Sequence, residues 1–349
     1  MNKVNEEVKD YYGKELQTSG DLKTNACCDL VAPPKHILEA LRNVHDTVQA
    51  KYYGCGLTLP DNVKGMRILD LGSGSGRDCY IASQLVGSTG SVVGVDMTKE
   101  QLDVAIEFLD YHGEVFGYKN ITFLEGNIEK LDELGLEPNS FDIIISNCVI
   151  NLATNKQKVL KDAYNLLKPG GEMFFSDVYS DRRISKELQE DKVLWGECLS
   201  GALYWNDFLR LAHAAGFNDP RSFDDKPITV NNSELQMKLG DIKFYSVTYR
   251  LFKIDHLESA CEDYGHAVSY QGGIEESSAG FKLDDHHYFP KGKYVTVCGN
   301  SYLMLKESRY KKYFTFVGDF STHFGIFEGC GENAPFNSVA SLESQASCC

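Results

Sequence analysis

The feature that most restricts this chain is a series of five short apolar segments between Met66 and Tyr179, separated by stretches of helical spacing. They are MRILDLG (66–72), SVVGVDM (91–97), ITFLEGN (121–127), FDIIISNCVI (141–150) and GEMFFSDVY (171–179), most of them apolar on both faces. Between them, Leu102, Ala105, Ile106 and Leu109 share one helical face. Leu160, Ala163 and Leu167 share another, and Pro169-Gly170-Gly171 stops that helix. A strand that is apolar on both faces must be covered on both, and intervening helices supply the cover. The fold class is therefore α/β, with a doubly wound parallel sheet.

The flanks are less regular. Residues 1–60 form a polar, tyrosine-bearing lead broken at Pro33-Pro34, with a helix expected from His36 to Gln49. After the sheet, Trp205, Phe208, Leu209, Ala212 and Ala215 form a helical stripe closed by Gly216, a C-cap position. RSFDDKPITV and KFYSVTYRLF read as two strands, and beyond about Asp255 no motif stands out. The chain thus divides into residues 1–180 (the sheet domain with its lead), a mixed α+β region at 181–253, and a small C-terminal domain at 254–349 with a Ser-rich tail ending in Cys348-Cys349.

Composition removes several functions. Lys+Arg 35 against Asp+Glu 50 gives a net charge of −15, the wrong sign for binding nucleic acid or an anionic membrane surface. No apolar run approaches the roughly 20 residues that cross a bilayer. The start, MNKVNEEVKDYYGKELQ, lacks the basic and apolar regions of a secretory leader. A soluble, cytoplasmic protein is expected, with no nucleic-acid and no membrane partner. Its 11 cysteines are an odd count in a long chain, so most are expected to be reduced thiols.

The first strand runs into Asp70-Leu71-Gly72-Ser73-Gly74-Ser75-Gly76, a turn where glycine lets the backbone bend sharply and a ligand approach. Arg77 stands where a dinucleotide fingerprint needs glycine, and no Gly-Lys-Ser/Thr follows to make a phosphate loop. The pattern that fits is Asp-x-Gly-x-Gly-x-Gly with an acid at the tip of the second strand. Asp96 lies 20 residues after Gly76, placed to accept hydrogen bonds from two ribose hydroxyls. On these residues the chain resembles the class I (Rossmann-like) S-adenosylmethionine-dependent methyltransferases. The resemblance implies a cofactor site from Asp70, Gly72, Gly74, Asp96 and Met97, with Asn127 and Ile128 bordering the adenine. Asn147 ends the fourth strand, where the methyl acceptor is presented. Tyr53 could set its ring against the sulfonium, although packing alone explains a tyrosine there equally well.

Cys148 follows Asn147 in place of the Asn/Asp-Pro-Pro-aromatic turn common in nitrogen methylation, which puts a thiol beside the methyl donor. Cys55 in YYGCG and Cys198 in WGECLSG are flanked by glycines and are expected on turns with accessible sulfur. There is no Cys-x-x-Cys pair, which argues against zinc. Scattered soft thiolates converging on one crevice suit a thiophilic metalloid. Trivalent arsenic takes three thiolates and keeps a lone pair that can attack a sulfonium methyl.

The stretches KTNACC, KYYGCGL, ILDLGSGSGRDCY, GVDMTKEQ, FDIIISNCVINL, GGEMFFSDVY and KVLWGECLSGALYW closely resemble the arsenite methyltransferases, over about Tyr11 to Lys253. The resemblance implies that Cys148 and Cys198 hold arsenic with Cys55, and that Cys27 joins Cys55 in the first methylation and in redox turnover. The family usually has Thr-Asn-Gly-Cys, whereas here Thr24-Asn25-Ala26 precedes Cys27-Cys28; spacing favours Cys27 and leaves Cys28 open. Glu197 could take a thiol proton as arsenic binds, or be a plain solvated or salt-bridged acid. Cys79, Cys261, Cys298 and Cys330 read as packing. The implied partners are S-adenosylmethionine, arsenite or its glutathione complex as substrate, and glutathione or thioredoxin as reductant, acting on a monomer. Three other readings stay open: a carbon or oxygen methyltransferase of the quinone or sterol type with packing cysteines, a metalloid-sequestering protein, and a zinc-dependent thiol methyltransferase.

Overall fold

The five apolar segments are five parallel strands in the computed structural model, which describes residues 3–15, 33–52, 54, 58–230 and 232–330. They are β1 (Arg67–Leu71), β2 (Ser91–Asp96), β3 (Ile121–Glu125), β4 (Phe141–Asn147) and β5 (Leu167–Ser180). The short β6 (Leu203–Tyr204) pairs with the end of β5. Two antiparallel strands, β7 (Arg221–Ile228) and β8 (Phe244–Phe252), complete one sheet of order β3-β2-β1-β4-β5-β8-β7. Burial on both faces is visible residue by residue. Ile68, Ile143 and Ile145 enter one core, while Leu69, Leu71 and Ile144 enter the other. Chain order reverses between β1 and β4, and their carboxyl ends open there into the crevice where such sheets bind ligands.

Three local expectations change. Part of the region expected to be separate from the sheet, at 221–252, is the sheet's own antiparallel edge, with β8 paired to β5 from Glu172↔Phe252 to Ser180↔Phe244. The helix expected over 36–49 is two helices, Lys35–Leu41 and Asp46–Ala50. His45 interrupts them by capping the second through Nδ1, which accepts from the Thr47 N–H. The helical face through Leu109 is likewise split at Phe108, so Leu102 and Ala105 are buried while Ile106 stays 49% exposed.

The C-terminal unit packs Val268, Tyr270, Phe281, Tyr302 and Tyr310 into its own core, which also takes in Phe252 at the end of β8. A three-stranded antiparallel sheet (His266–Tyr270 between Tyr294–Val297 and Phe314–Val317) and the helix Gly299–Lys306 frame it. One carboxylate joins this unit to the main sheet. Glu172 of β5, fully buried, bonds through Oε1 to Arg309 Nη2. Arg250 Nε of β8 lies 3.0 Å from its Oε2, in ion-pair contact without a well-directed hydrogen bond. Arg309 also reaches the carbonyls of Asn62 and Asp61 at 3.0 and 2.9 Å. Removing one partner of a buried ion cluster strands the others in low dielectric. Glu172→Leu is therefore expected to lower the unfolding free energy by about 3–5 kcal/mol, read as a shift of the urea midpoint. A loss below about 1 kcal/mol, the scale of an exposed pair, would show that the cluster does not join the two units.

Candidate active site

Glycine is required where β1 ends. Gly72, Gly74 and Gly76 all have positive φ (78°, 52° and 86°), and a Cβ on Gly72 would stand 2.4 Å from Val149 Cγ2. The turn delivers the Gly74 N–H to Asp96 Oδ2 at 2.8 Å, while Asp96 Oδ1 accepts from the Thr98 N–H at 2.7 Å. Each carboxylate oxygen keeps a lone pair for a ligand hydroxyl. The helix Arg77–Val86 then starts on Gly76.

The crevice beside this turn, with the solvent at its open mouth, spans about 940 Å³. Asp70, Gly72, Gly74, Asp96, Met97, Asn127, Ile128, Asn147 and Cys148 all line it; Tyr53 lies outside the described residues. The lining also includes Ser73 and Gln101, whose Oγ and Oε1 are buried with no hydrogen-bond partner. Orphaned polar atoms around a cavity mark a place for a polar ligand. Four acids, Asp70, Asp78, Asp96 and Glu129, face this space together with Lys51 and Arg77. Orphaned polar atoms, hydrogen-bonding acids and an open glycine turn together fit the ammonium and ribose of S-adenosylmethionine.

Cys148 lines the crevice, and Cys198 is packed behind it. The Cys198 thiol lies 3.4 Å from the Cys148 carbonyl, and the Cys148 N–H donates to the Ser176 carbonyl at 2.9 Å. Both cysteines have left-handed backbones (φ 59° and 60°). The other non-glycine residues of positive φ among the described residues are Asn62 and Asn139; asparagine tolerates that region and cysteine does so at a cost of order 1 kcal/mol. Cys148 is disulfide-bonded, an exception to the expectation that most of the thiols are reduced. Cys198 is not accessible, as its glycine neighbours suggested, but fully buried. The cover comes from the N-terminus: Tyr12 Oη donates to the Gly196 carbonyl at 2.8 Å and sits 4.0 Å from Cys198 Sγ, while Tyr11 Oη donates to Glu197 Oε1 at 2.8 Å. Glu197 is thus a buried acid anchored to Tyr11. Cys27, Cys28, Cys55, Cys348 and Cys349 lie outside the described residues. Among the described residues, no group of three or more His, Cys, Asp or Glu could hold a metal ion.

Several residues of the site carry no sequence signal. Tyr12 is tied down by Gln101 Nε2, which donates to its carbonyl at 2.9 Å. Tyr52 accepts from Asn147 Nδ2 at 2.7 Å and stacks under the Arg77 guanidinium at 3.6 Å. Lys156 sits on the helix Lys156–Leu166 with Nζ donating to the Ala153 carbonyl at 2.7 Å. Burial pulls Lys156 down to about 8, while Asp177, Glu129 and Cys198 hold it up. Its proximity to Asp177 and Cys198 could not be read from spacing.

Burial also dominates the acids. It raises Asp70 to about 8, with the Asp78 charge adding and the Cys79 thiol (3.2 Å) opposing; Asp177 rises to about 6, and Asp96 rises too, less its backbone hydrogen bonds. A carboxyl whose folded value exceeds its unfolded one binds more protons in the fold. Its contribution is present below the ordinary carboxylate value and is lost as pH climbs through the folded value. For the ligand-free protein, Asp70 should therefore lower stability from about pH 4 to about 8, by at most about 1.4 kcal/mol per pH unit. The difference between wild-type and Asp70→Asn urea profiles isolates it from opposing groups such as His112, which burial lowers to about 4. Parallel profiles would contradict the raised Asp70.

Residues 62–216 match a family model described as a methyltransferase domain, and residues 264–347 match one described as the arsenite methyltransferase C-terminal domain. An arsenite methyltransferase of Aquipseudomonas alcaligenes is 56% identical over 99% of this chain and 100% of its own. That of Mus musculus is 48% identical over 90% of this chain and 84% of its own. The crystal structure of CrArsM, an arsenic(III) S-adenosylmethionine methyltransferase from Chlamydomonas reinhardtii, superposes with a TM-score of 0.82 at 49% identity, covering 85% of this chain and 100% of that one. With its glycine turn, its acid-lined crevice and its paired cysteines, the chain belongs to the arsenite methyltransferases.

Proposed function

We propose that the chain methylates trivalent arsenic, arsenite or its thiol complex and then methylarsenite, in a detoxifying reaction. The observation that carries this reading is the adjacent pair of left-handed cysteines, Cys148 in the lining of the acid-lined crevice and Cys198 packed against its carbonyl. S-adenosylmethionine, when bound, supplies an electrophilic methyl on a sulfonium. Asp96 would hold the ribose, the Asp78 carboxylate would favour the cationic end, and Asn127 and Ile128 would border the base. Cys148 and Cys198, with Cys55 as third ligand, exchange their thiol protons for arsenic, releasing arsenic's hydroxyls as water. The buried Lys156 ammonium favours the thiolate form of Cys198 in that exchange. Arsenic held on three sulfurs keeps its lone pair for the methyl, and fixing it beside the donor removes much of the entropy of the encounter.

Methylation leaves arsenic pentavalent, and a cysteine pair drawn from Cys27, Cys55 and Cys148 returns two electrons to it, becoming a disulfide. A disulfide at Cys148, as in this structure, leaves no thiolate there for arsenic. Reduction by glutathione or thioredoxin must therefore precede each cycle, which suits a cytoplasmic setting.

Arsenic speciation after incubation with arsenite, S-adenosylmethionine and a reduced thiol should show methylated arsenic. Cys148→Ser and Cys198→Ser should each lower turnover about 10²-fold or more, the scale of a misplaced reactant. Unchanged turnover on an organic acceptor would favour a quinone-type methyltransferase. Tight arsenite binding without methyl transfer would favour sequestration.

A further inference from the structure

A second cluster of nucleophilic and charged side chains lies in the C-terminal unit, on the far side of β7 and β8 from the methyl-transfer thiols in sequence and outside the crevice lining. Its centre is Cys298, fully buried, which caps the helix Gly299–Lys306. The Cys298 sulfur accepts from the Ser301 N–H at 3.5 Å and lies 3.4 Å from Ser301 Oγ. Arg221 of β7 directs Nη2 at the same sulfur from 3.7 Å, and is itself held by Asp219 and Asp284 at 2.6 and 3.0 Å. His287 stands behind, with Nε2 3.3 Å from Ser301 Oγ and Nδ1 2.7 Å from Asp284 Oδ1. The half-buried Cys261 completes the cluster: its segment is held against the start of that helix by Glu258, whose N–H donates to Asn300 Oδ1 and whose carbonyl accepts from Asn300 Nδ2, both at 2.8 Å. The Cys261 carbonyl accepts from the Phe327 N–H at 2.8 Å, which pins it at the edge of a strand pair.

A cysteine that merely packs is surrounded by apolar atoms. Cys298 instead meets a guanidinium, a helix N-terminus and a second thiol, three groups that each favour a thiolate. We propose that Cys261 and Cys298 are a thiol–disulfide redox site, a dithiol that closes to a disulfide by exchange with a low-molecular-weight disulfide. The environment supports the assignment. Cys261, with Arg221 and Ser301 adding and burial opposing, pulls Cys298 down, while Cys298 and burial push Cys261 up. The pair thus shares one proton.

The half-exposed Cys261 is the point of entry. As the Cys261 sulfur attacks one sulfur of the incoming disulfide, the Cys298 thiolate takes its proton, that S–S bond breaks and one small thiolate is expelled. Cys298 gives the proton to the expelled thiolate and attacks the Cys261 sulfur, expelling the second, which solvent protonates. Two electrons leave the pair, and the small disulfide becomes two thiols.

The test uses the full, reduced chain equilibrated with mixtures of glutathione and glutathione disulfide, quenched in acid, alkylated and mapped by peptide mass spectrometry. A peptide linking Cys261 to Cys298, rising with the disulfide ratio and reversed by excess glutathione, is the expected result. Cys298→Ser keeps a preferred helix cap and should abolish the link, leaving Cys261 as its mixed disulfide with glutathione. Cys261→Ser should leave Cys298 unmodified. Recovery of both cysteines as alkylated thiols at every ratio, or of Cys261 linked to Cys330 instead, would overturn the assignment. The wild-type link is read directly, so a variant that failed to fold would not blur the outcome.

Discussion

Two peptide N–H groups converging on one carboxylate organise the site. Gly74 belongs to the turn after β1 and Thr98 to the turn after β2, and Asp96 holds both at once. Without that grip the two turns at the sheet's switch point would have no common reference, and the crevice would lose its floor. The grip demands a left-handed Gly74 and a Gly72 with no side chain, because Val149 from the β4 turn fills that space. The turn that presents Cys148 is therefore packed directly on the glycine turn after β1. The positions of the two turns are set by one another rather than independently.

The thiol side depends on a different kind of constraint. Asparagine or glycine would relieve the backbone at positions 148 and 198, yet both carry cysteine, so the strain is retained where sulfur is needed. Asp177 helps hold it: its carboxylate accepts from the Asn151 and Val178 N–H groups, fixing the turn after Cys148 against the end of β5. Closure of the site over Cys198 comes from Tyr11 and Tyr12, which lie 186 residues away in sequence. The hydrogen bonds from Tyr12 and Tyr11 to Gly196 and Glu197 hold that cover over Cys198, while Cys148 faces the crevice.

This explains what the sequence disclosed. The parallel strands were legible because burial on both faces forces continuous apolar runs, and nothing else in a chain of this composition writes such runs. The cofactor turn was legible because glycine is obligatory there. The edge strands β7 and β8 read correctly as strands, but their membership of the main sheet did not, because a strand's alternation records which face is buried and not its neighbour. The glycines around Cys198 report a turn truthfully and say nothing about what lies over it. Lys156 and Cys298 illustrate the same limit: the chemistry of each depends on groups, Asp177 and Arg221, that topology alone brings near.

The sheet also joins the two clusters of sulfur. Arg250 on β8 meets Glu172 on β5, and Arg221 on β7 pairs with Arg250 in the ladder while reaching Asp284 and the Cys298 thiol. A ladder of paired strands is stiff along its hydrogen bonds, and buried ion pairs at its edge have discrete rather than graded arrangements. β5 carries Ser176, whose carbonyl receives the Cys148 N–H, and Asp177. The C-terminal unit is therefore joined to the turn after β4 through β5, β8 and β7, by backbone ladder and buried charge. Arg221, which reaches the Cys298 sulfur, stands at the far end of that ladder from Cys148.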